Sequence, residues 1–411
     1  MTRADATDAR RSSRIEGGNA GHLRRQNLER VLGVVMDRPS PLTRAELIRA
    51  TGLSAPTVGS LASDLIRAGV VTHLGTGPSR GGRRPSFMEF NARHGFVAGI
   101  DLGPTKTRLA VADLRGERLA HDVIATPSGV GPAALLARLA AALRALLREA
   151  RVPPDRLLAV GAGAPGVVDP DRGNVVALTP NLKGWSNVPM ATSLKKTLGA
   201  PVVVENDVNL AILGERWRGA AHGHDTCAFL TFGTGIGAGI VVEGKLHRGH
   251  HFLSGEIGLM CAGPQYVDQD FGPRGCLETL AGLRSLAARW PRSARGDPEG
   301  WVAELVEAAR RGDRRARRVM EDEARLIGIA VSNLSLVLDP SLIVLGGALL
   351  THAEPLVERV RQIVNRILPA PAQIVVSALG KEAPLWGCLL VAIMEAHEQL
   401  RHQLREARVR A

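Results

Sequence analysis

The sequence predicts an α/β chain with a helix-turn-helix segment in front and two lobes closing on a shared cleft. Three observations carry this. Residues 229–239, FLTFGTGIGAG, are an apolar strand running into four glycines in seven positions, with apolar Ile240, Val241 and Val242 behind them. Residues 96–114, FVAGIDLGPTKTRLAVADL, repeat the design: strand, Asp101, a glycine-containing turn with Thr105, second strand. Two hairpins of one design, far apart in one chain, imply a duplicated lobe. The third observation is charge. Residues 1–95 hold 15 arginines, no lysine and 8 acidic residues, so +7 of the net +12 falls in the first quarter. A basic front on a milder body points to a polyanion partner at that end.

At 411 residues with 45% hydrophobic content, the chain has material for two or three cored domains. Its four cysteines, Cys227, Cys261, Cys276 and Cys388, have no framework spacing, and no signal peptide is visible. We therefore expect a reduced cytoplasmic protein, associated with the nucleoid. The most apolar long stretch, residues 334–350, is broken by Asp339-Pro340 and Gly346-Gly347, which excludes a membrane helix.

In chain order, residues 1–20 are polar, arginine-rich and without periodicity, and read as a disordered basic tail. Residues 21–90 read as a winged helix-turn-helix. Leu28, Val31, Leu32 and Val35 recur at helical spacing until Pro39 and Pro41. Thr43-Arg-Ala-Glu46 is a capping box opening a short helix, Thr51-Gly52 turns, and Ser54 caps a third helix with Pro56 in its first turn. Val58, Leu61, Ala62 and Leu65 form its buried face, leaving Ala55, Thr57, Gly59 and Ser60 exposed. Residues 70–74 and 86–90 are strands joined by GTGPSRGGRRP, a wing bearing Arg80, Arg83 and Arg84. Read for function, Ser54, Thr57 and Ser60 reach DNA bases or nearby phosphates and the wing arginines hold phosphates. Read for packing, the same pattern is a helical hairpin with solvated arginines.

From residue 96 strands and helices alternate. A strand at 157–160 enters GAGAPGVVD (161–169), and another at 201–204 ends in Glu205-Asn206-Asp207-Val208-Asn209. After the second hairpin and an irregular stretch (247–275), helices run to residue 338. An apolar strand at 342–345 meets Gly346-Gly347, and a basic helix closes the chain from 384. The first lobe is taken as 91–207, completed by the helix at 384–411, and the second as 208–383. Taken alone, the glycine hairpins fit either tight turns or loops whose amides converge on a phosphate.

The order of these segments carries a resemblance. The chain resembles the ROK family (repressors, open reading frames and sugar kinases) in its regulator form, with an N-terminal winged helix-turn-helix. The segments are DLGPTK (101–106), GAPGVVD (163–169), PNLKGW (180–185), ENDVN (205–209), FGTGIGAG (232–239), GEIG (255–258), GCLE (275–278) and LGG (345–347). The resemblance implies a two-lobed actin-like, ribonuclease H-like sugar-kinase fold behind the winged helix. It implies a sugar pocket of Asn181, Asn206, Asp207, Glu256 and Glu278 beside Gly166. Carboxylates and amides suit a ring of hydroxyls. Asp207 matches the general base of kinase members. Asn206-Asp207 also reads as a helix N-cap, and Glu278 as a first-turn surface carboxylate. For a nucleotide, the resemblance implies Asp101, Gly103, Thr105, Lys106, Gly233, Thr234, Gly235, Gly237, Gly346 and Gly347.

Two departures qualify the resemblance. Pro104 stands where the family's first phosphate loop has a second glycine, fixing φ and deleting an N–H donor. Leu259 replaces the zinc-ligating histidine, and Gln269 and Phe271 stand where two cysteines would be, leaving Cys276 alone. One ligand of four makes no tetrahedral site, so we expect no zinc and no other cofactor.

The leading reading is a transcriptional regulator, more specifically a repressor of carbohydrate metabolism. It binds an operator duplex as a homodimer or dimer of dimers and answers to a sugar. An ATP-dependent, glucokinase-like sugar kinase with an appended DNA-binding domain is the alternative, favoured by Asp207 and opposed by Pro104. A module for a protein partner is the third.

Overall fold

The computed structural model describes residues 5–76, 86–178, 182, 184–290, 298–350 and 353–406. The chain divides into two compact units.

The first unit holds α1 (Asp5–Asp37), β1 (Leu42–Thr43), α2 (Arg44–Thr51), α3 (Ala55–Arg67), β2 (Val71–Thr76) and β3 (Ser86–Phe90). The reading of residues 1–20 as a tail is corrected here, because α1 starts at Asp5. Alanines and arginines propagate a helix well, and no proline interrupts the run before Pro39. From residue 28 the helix buries Leu28, Val31, Leu32 and Val35. The capping box at Thr43 and Glu46 forms as the spacing predicts: Thr43 N donates to Glu46 Oε2 at 2.7 Å, and Glu46 N to Thr43 Oγ1 at 3.2 Å. Gly52 ends α2 at φ 69°, a left-handed turn that costs glycine nothing. Val58, Leu61, Ala62 and Leu65 are the buried stripe of α3. The sheet runs β1-β3-β2, with β2 and β3 antiparallel.

The same unit includes Asp113–Arg115 and Ala396–Ala411. The ring of His397 meets the Leu114 carbonyl at 3.1 Å and stands edge-on to Phe90. Burial holds this imidazole down to about 4, so it is neutral at physiological pH. The final helix was read as completing the first lobe through residue 411; from Ala396 onward it belongs instead with the winged helix, because His397 finds its partners there.

The second unit holds two five-stranded sheets. The first is built from β4 (Phe96–Leu102), β5 (Lys106–Asp113), β6 (Arg118–Ala125), β7 (Leu157–Ala164) and β10 (Val202–Asn206), in the order β10-β7-β4-β5-β6. Between them lie α4 (Pro132–Glu149), the ribbon β8 (Val167–Asp169) with β9 (Asn174–Ala177), and α5 (Met190–Leu198). Then come α6 (Asp207–Arg218), β11 (Cys227–Phe232), β12 (Ile236–Val242), β13 (Lys245–Leu246), α7 (Gly275–Ala281), α8 (Leu283–Arg289), α9 (Pro298–Arg310) and α10 (Arg314–Leu338). β14 (Leu342–Gly346), α11 (Glu354–Ile367), β15 (Gln373–Val376) and α12 (Ala383–Glu406) complete the chain. The second sheet runs β13-β12-β11-β14-β15. Numbered within each sheet by chain order, both read 3-2-1-4-5. The duplication inferred from the two hairpins is thus a duplication of whole sheets.

Apolar strands explain both cores. β4 is buried along its length, and Ala228, Leu230 and Phe232 of β11 pack with Ile343 and Leu345 of β14. Where helices cross sheets, small residues set the distance. A Cβ on Gly161 of β7 would collide with the Cys388 carbonyl of α12, and one on Gly239 of β12 with the Val208 carbonyl of α6. Helix α6 therefore seats deeply, which fixes its N-terminus, the place where Asn206 and Asp207 stand. Among the described residues no helix is long and apolar enough to cross a membrane.

Candidate functional site

At the start of α3, Ser54 and Thr57 share a hydroxyl–hydroxyl hydrogen bond of 2.8 Å, and Ser54 Oγ accepts Thr57 N at 3.4 Å. Ser60 Oγ accepts from Arg24 of α1 at 2.8 Å, and Arg24 also pairs with Asp64 at 2.9 Å. The candidate base-reading hydroxyls are thus presented at the first turns of the helix, each with an internal partner. Arg24, which orients Ser60, was not singled out from sequence. Arg80, Arg83 and Arg84 lie outside the described residues, as does Asn181.

The second unit gathers five of the residues of the implied sugar pocket, Gly166, Asn206, Asp207, Glu256 and Glu278. Asn206 caps α6: its Oδ1 accepts Val208 N at 2.9 Å and Asn209 N at 3.0 Å. Its Nδ2 donates to the Gly166 carbonyl at 2.9 Å, so Asn206 holds the loop in which Gly166 takes φ 85°. The cap reading holds for this residue, and one N–H of its amide has no partner among the described residues. Asp207 follows as the first residue of α6, and its carboxyl accepts Val208 N at 3.0 Å.

Burial, then the negative charges of Asp101 and Glu256, push Asp207 up to about 8. Burial, then Glu278, pushes Glu256 up to about 7. Asp101 at the end of β4 rises to about 6 through burial, against the pull of Arg108 at 3.3 Å. Glu278 is also raised by burial, opposed by the Ile236 amide and by Arg274. The carboxyls thus act in a chain: Asp101 and Glu256 oppose the ionisation of Asp207, and Glu278 that of Glu256.

Both hairpin turns approach this cluster. In the first, Gly103 N donates to Lys106 O at 3.2 Å, Pro104 has no N–H, and Thr105 O takes Thr126 N at 2.9 Å. Thr105 and Lys106 are exposed. In the second, Gly233 N donates to Gly235 O at 3.1 Å, Thr234 is exposed, and Ile236 N donates to Glu278 Oε2 at 3.0 Å. Glu278 Oε1 is buried and accepts no hydrogen bond among the described residues, the Arg274 Nε standing 4.0 Å away. A buried carboxylate oxygen without a donor is a ready acceptor for a ligand hydroxyl. Gly237, Gly346 and Gly347 have packing reasons of their own. A Cβ on them would press on Val208, on the Phe229 ring and on the Phe232 backbone respectively.

The stretch where the family carries zinc is held by other contacts. Cys276 Sγ accepts Ala262 N at 3.4 Å, Gln269 donates to Gln265 O at 3.0 Å, and Phe271 stacks edge-on with Tyr266. Leu259 is 43% exposed. Among the described residues no three His, Cys, Asp or Glu side chains assemble as a metal site, and one thiol with these neighbours does not fit zinc.

Sequence reasoning missed Arg108 and Arg274. Neither falls in a motif, and each earns its place only through a carboxylate brought near by folding.

Comparison with known proteins places this geometry. Residues 97–395 match the ROK family profile, and residues 27–75 match the IclR helix-turn-helix domain. The chain is 30% identical over 393 residues to the xylose repressor of Caldicellulosiruptor bescii, covering 92% of this chain and 98% of that one. It is 34% identical to the crystal structure of the ROK hexokinase from Thermus thermophilus, with a TM-score of 0.62 over 74% of this chain and 99% of that one. A ROK family transcriptional regulator, a homologue of the E. coli MLC protein, shares the fold over 94% of this chain and all of its own, with a TM-score of 0.75 at 24% identity.

Proposed function

We propose that this chain, which belongs to the ROK family and is a transcriptional regulator similar to xylose repressors, represses genes of sugar use and releases its operator when a sugar fills the carboxylate-lined cleft. The observation that carries the reading is the group of Asp101, Asp207, Glu256 and Glu278, with Glu278 Oε1 buried and without a donor among the described residues. Hydroxyls of a neutral sugar supply the donors this cluster lacks, and charge-assisted hydrogen bonds reward the ionised carboxyls. Xylose is the first candidate, by similarity to the Caldicellulosiruptor repressor, and glucose the second.

The mechanism is differential affinity. Asp207 and Glu278 come from α6 and α7, so a sugar held by both favours one closed arrangement of the cleft. Only the difference in sugar affinity between closed and open arrangements can shift the equilibrium that DNA binding reads. We expect two copies of α3 in a dimer to meet successive major grooves.

A kinase activity is the second reading. Asp207 is half-buried and its pKa is raised to about 8, which suits a base for a sugar hydroxyl, and the Thermus hexokinase shares the fold at 34% identity. The closed first turn, with Pro104 and a spent Gly103 amide, speaks against it. Calorimetry with xylose and glucose, beside fluorescence anisotropy on an operator selected from random duplexes, tests the regulator. Sugar that binds without changing operator affinity defeats it.

A further inference from the structure

The segment that delivers Glu256 begins at Arg248. Its backbone is tightly folded: the Arg248 carbonyl accepts Ser254 N at 3.2 Å, and Gly249, Phe252 and Gly255 take φ of 72°, 58° and 91°. At its far end Gly255 O accepts Ala238 N from β12 at 2.7 Å, which ties the segment to the second sheet. At its near end the Arg248 side chain leaves that sheet and reaches the first. Arg248 Nε donates to Glu205 Oε2 at 2.6 Å, and the Glu205 side chain is 3% exposed. The other oxygen of Glu205 accepts the Asn206 amide at 2.9 Å and Asn209 Nδ2 at 3.0 Å. One carboxylate therefore holds the backbone immediately before Asp207 and, through Arg248, the segment that ends at Glu256.

We propose that the Arg248–Glu205 pair is the clasp that sets Glu256 at binding distance from Asn206 and Asp207, which makes Arg248 a positioning residue for the effector site. The inference rests on the effector reading above. Arg248 itself is spent on Glu205 rather than offered to a ligand. A buried carboxylate that loses its partner keeps its desolvation cost. Without Arg248, Glu205 gains by opening toward water, and the Glu256 segment loses its tie to the first sheet. The side chain of Arg248 is 39% exposed, so replacing it leaves the core packing in place.

The test uses the full chain with Arg248→Gln and Arg248→Lys beside wild type. Hydrogen exchange without sugar reads the clasp directly. Amides of residues 248–257 should exchange at least about tenfold faster in Arg248→Gln, with partial recovery in Arg248→Lys and no change in α2 and α3. Titration with xylose and glucose should show affinity weakened about tenfold or more in Arg248→Gln, with sugar-free operator affinity unchanged. Unchanged exchange in the segment overturns the clasp whether or not any sugar binds. Wild-type protein that binds neither sugar defeats the effector reading, and the exchange result still decides the clasp. If wild type binds and Arg248→Gln binds equally well, the positioning role falls alone. If operator and sugar affinity fall together and lysine restores neither, Arg248 is a general stability residue and the proposal is wrong.

Discussion

The turn at residues 103–106 and the turn at residues 233–236 hold equivalent places in two sheets of one strand order, yet they leave different groups free. The first closes on itself: the Gly103 amide goes to the Lys106 carbonyl, and Pro104 has no amide to offer. The second has admitted a side chain from another helix, with Glu278 on the Ile236 amide and leaning over Gly235. Glycine in both turns reports close approach by some group. Which group approaches decides the chemistry, and in the second turn a carboxylate occupies the approach an anion would use. This comparison supports the proposal that the glycine turns frame a site for a neutral polyhydroxyl ligand, and on that proposal phosphate binding is expected of the arginines of the wing.

The largest expected effect sharpens the second turn. Glu278→Gln and Asp207→Asn each remove a charge-assisted hydrogen bond, of about 1.5–3 kcal/mol, so xylose or glucose affinity should fall by about 10- to 150-fold in calorimetry. Sugar binding at wild-type strength in Glu278→Gln breaks the comparison, since the turn would then have gained nothing by admitting that carboxylate.

Next in size is the contrast with the wing. Arg83→Ala with Arg84→Ala should weaken binding to all duplexes and lower the salt slope by about one to two units in anisotropy titrations. An unchanged slope returns phosphate binding to some other surface.

A smaller effect follows from the stacked carboxyls. Asp101, Asp207 and Glu256 have folded values of about 6, 8 and 7, above their ordinary values. A raised acid leaves the folded state holding protons that the unfolded chain has released. Its contribution is intact below the ordinary carboxylate range and is lost as pH rises through the folded value. The sugar-free melting temperature should therefore decline from about pH 4 to about pH 8, and Asp207→Asn should flatten the upper part of that slope. Sugar hydroxyls favour the ionised carboxyls, so binding should release protons and strengthen across the upper part of the same window. Calorimetry in buffers of different ionisation enthalpy measures the release. Proton uptake on binding contradicts the assignment.

Much of this site was legible before folding, and the exceptions share a cause. Asp101, Asp207, Glu256 and Glu278 sit in short motifs, and the doubled hairpin announced the doubled sheet because each strand pair is local in sequence. Asn206 was read both as cap and as ligand, and its two oxygen-accepted amides with the Gly166 contact show that one side chain does local and tertiary work together. The Arg248–Glu205 pair had no sequence signal: 43 residues separate the partners, and an isolated arginine before two histidines looks like surface. The first helix was misjudged because amphipathicity was the criterion, and a polar helix lacks it.

Two expected effects are close to nothing, and both probe what the turns lack. The first concerns metal. Cys276 is engaged by the Ala262 amide, and Leu259, Gln269 and Phe271 supply no ligand of zinc type. Tag-free protein should carry far less than one zinc per chain, and dialysis against a chelator should leave melting and sugar affinity alone. Stoichiometric zinc that survives dialysis means Cys276 recruits ligands from elsewhere.

The last prediction is the smallest in sugar binding and the most direct for the first turn. Pro104→Gly restores one N–H and frees φ in a turn whose neighbours Thr105 and Lys106 are exposed. Among the described residues Asp207, Glu256 and Glu278 have no hydrogen bond to the turn at 103–106, so sugar affinity should stay within about twofold of wild type, well under the tenfold that about 1.4 kcal/mol represents. Phosphoryl transfer depends on positioning and charge stabilisation at the phosphates, where a missing donor and a self-closed turn do most harm. Sugar-dependent ADP release should therefore stay well below about one per second, an ordinary kinase rate, in wild type. Any rise should appear in Pro104→Gly and not in Asp207→Asn. Turnover near one per second in wild type, indifferent to Pro104→Gly, would make the two turns functionally alike and the chain an enzyme as well as a regulator.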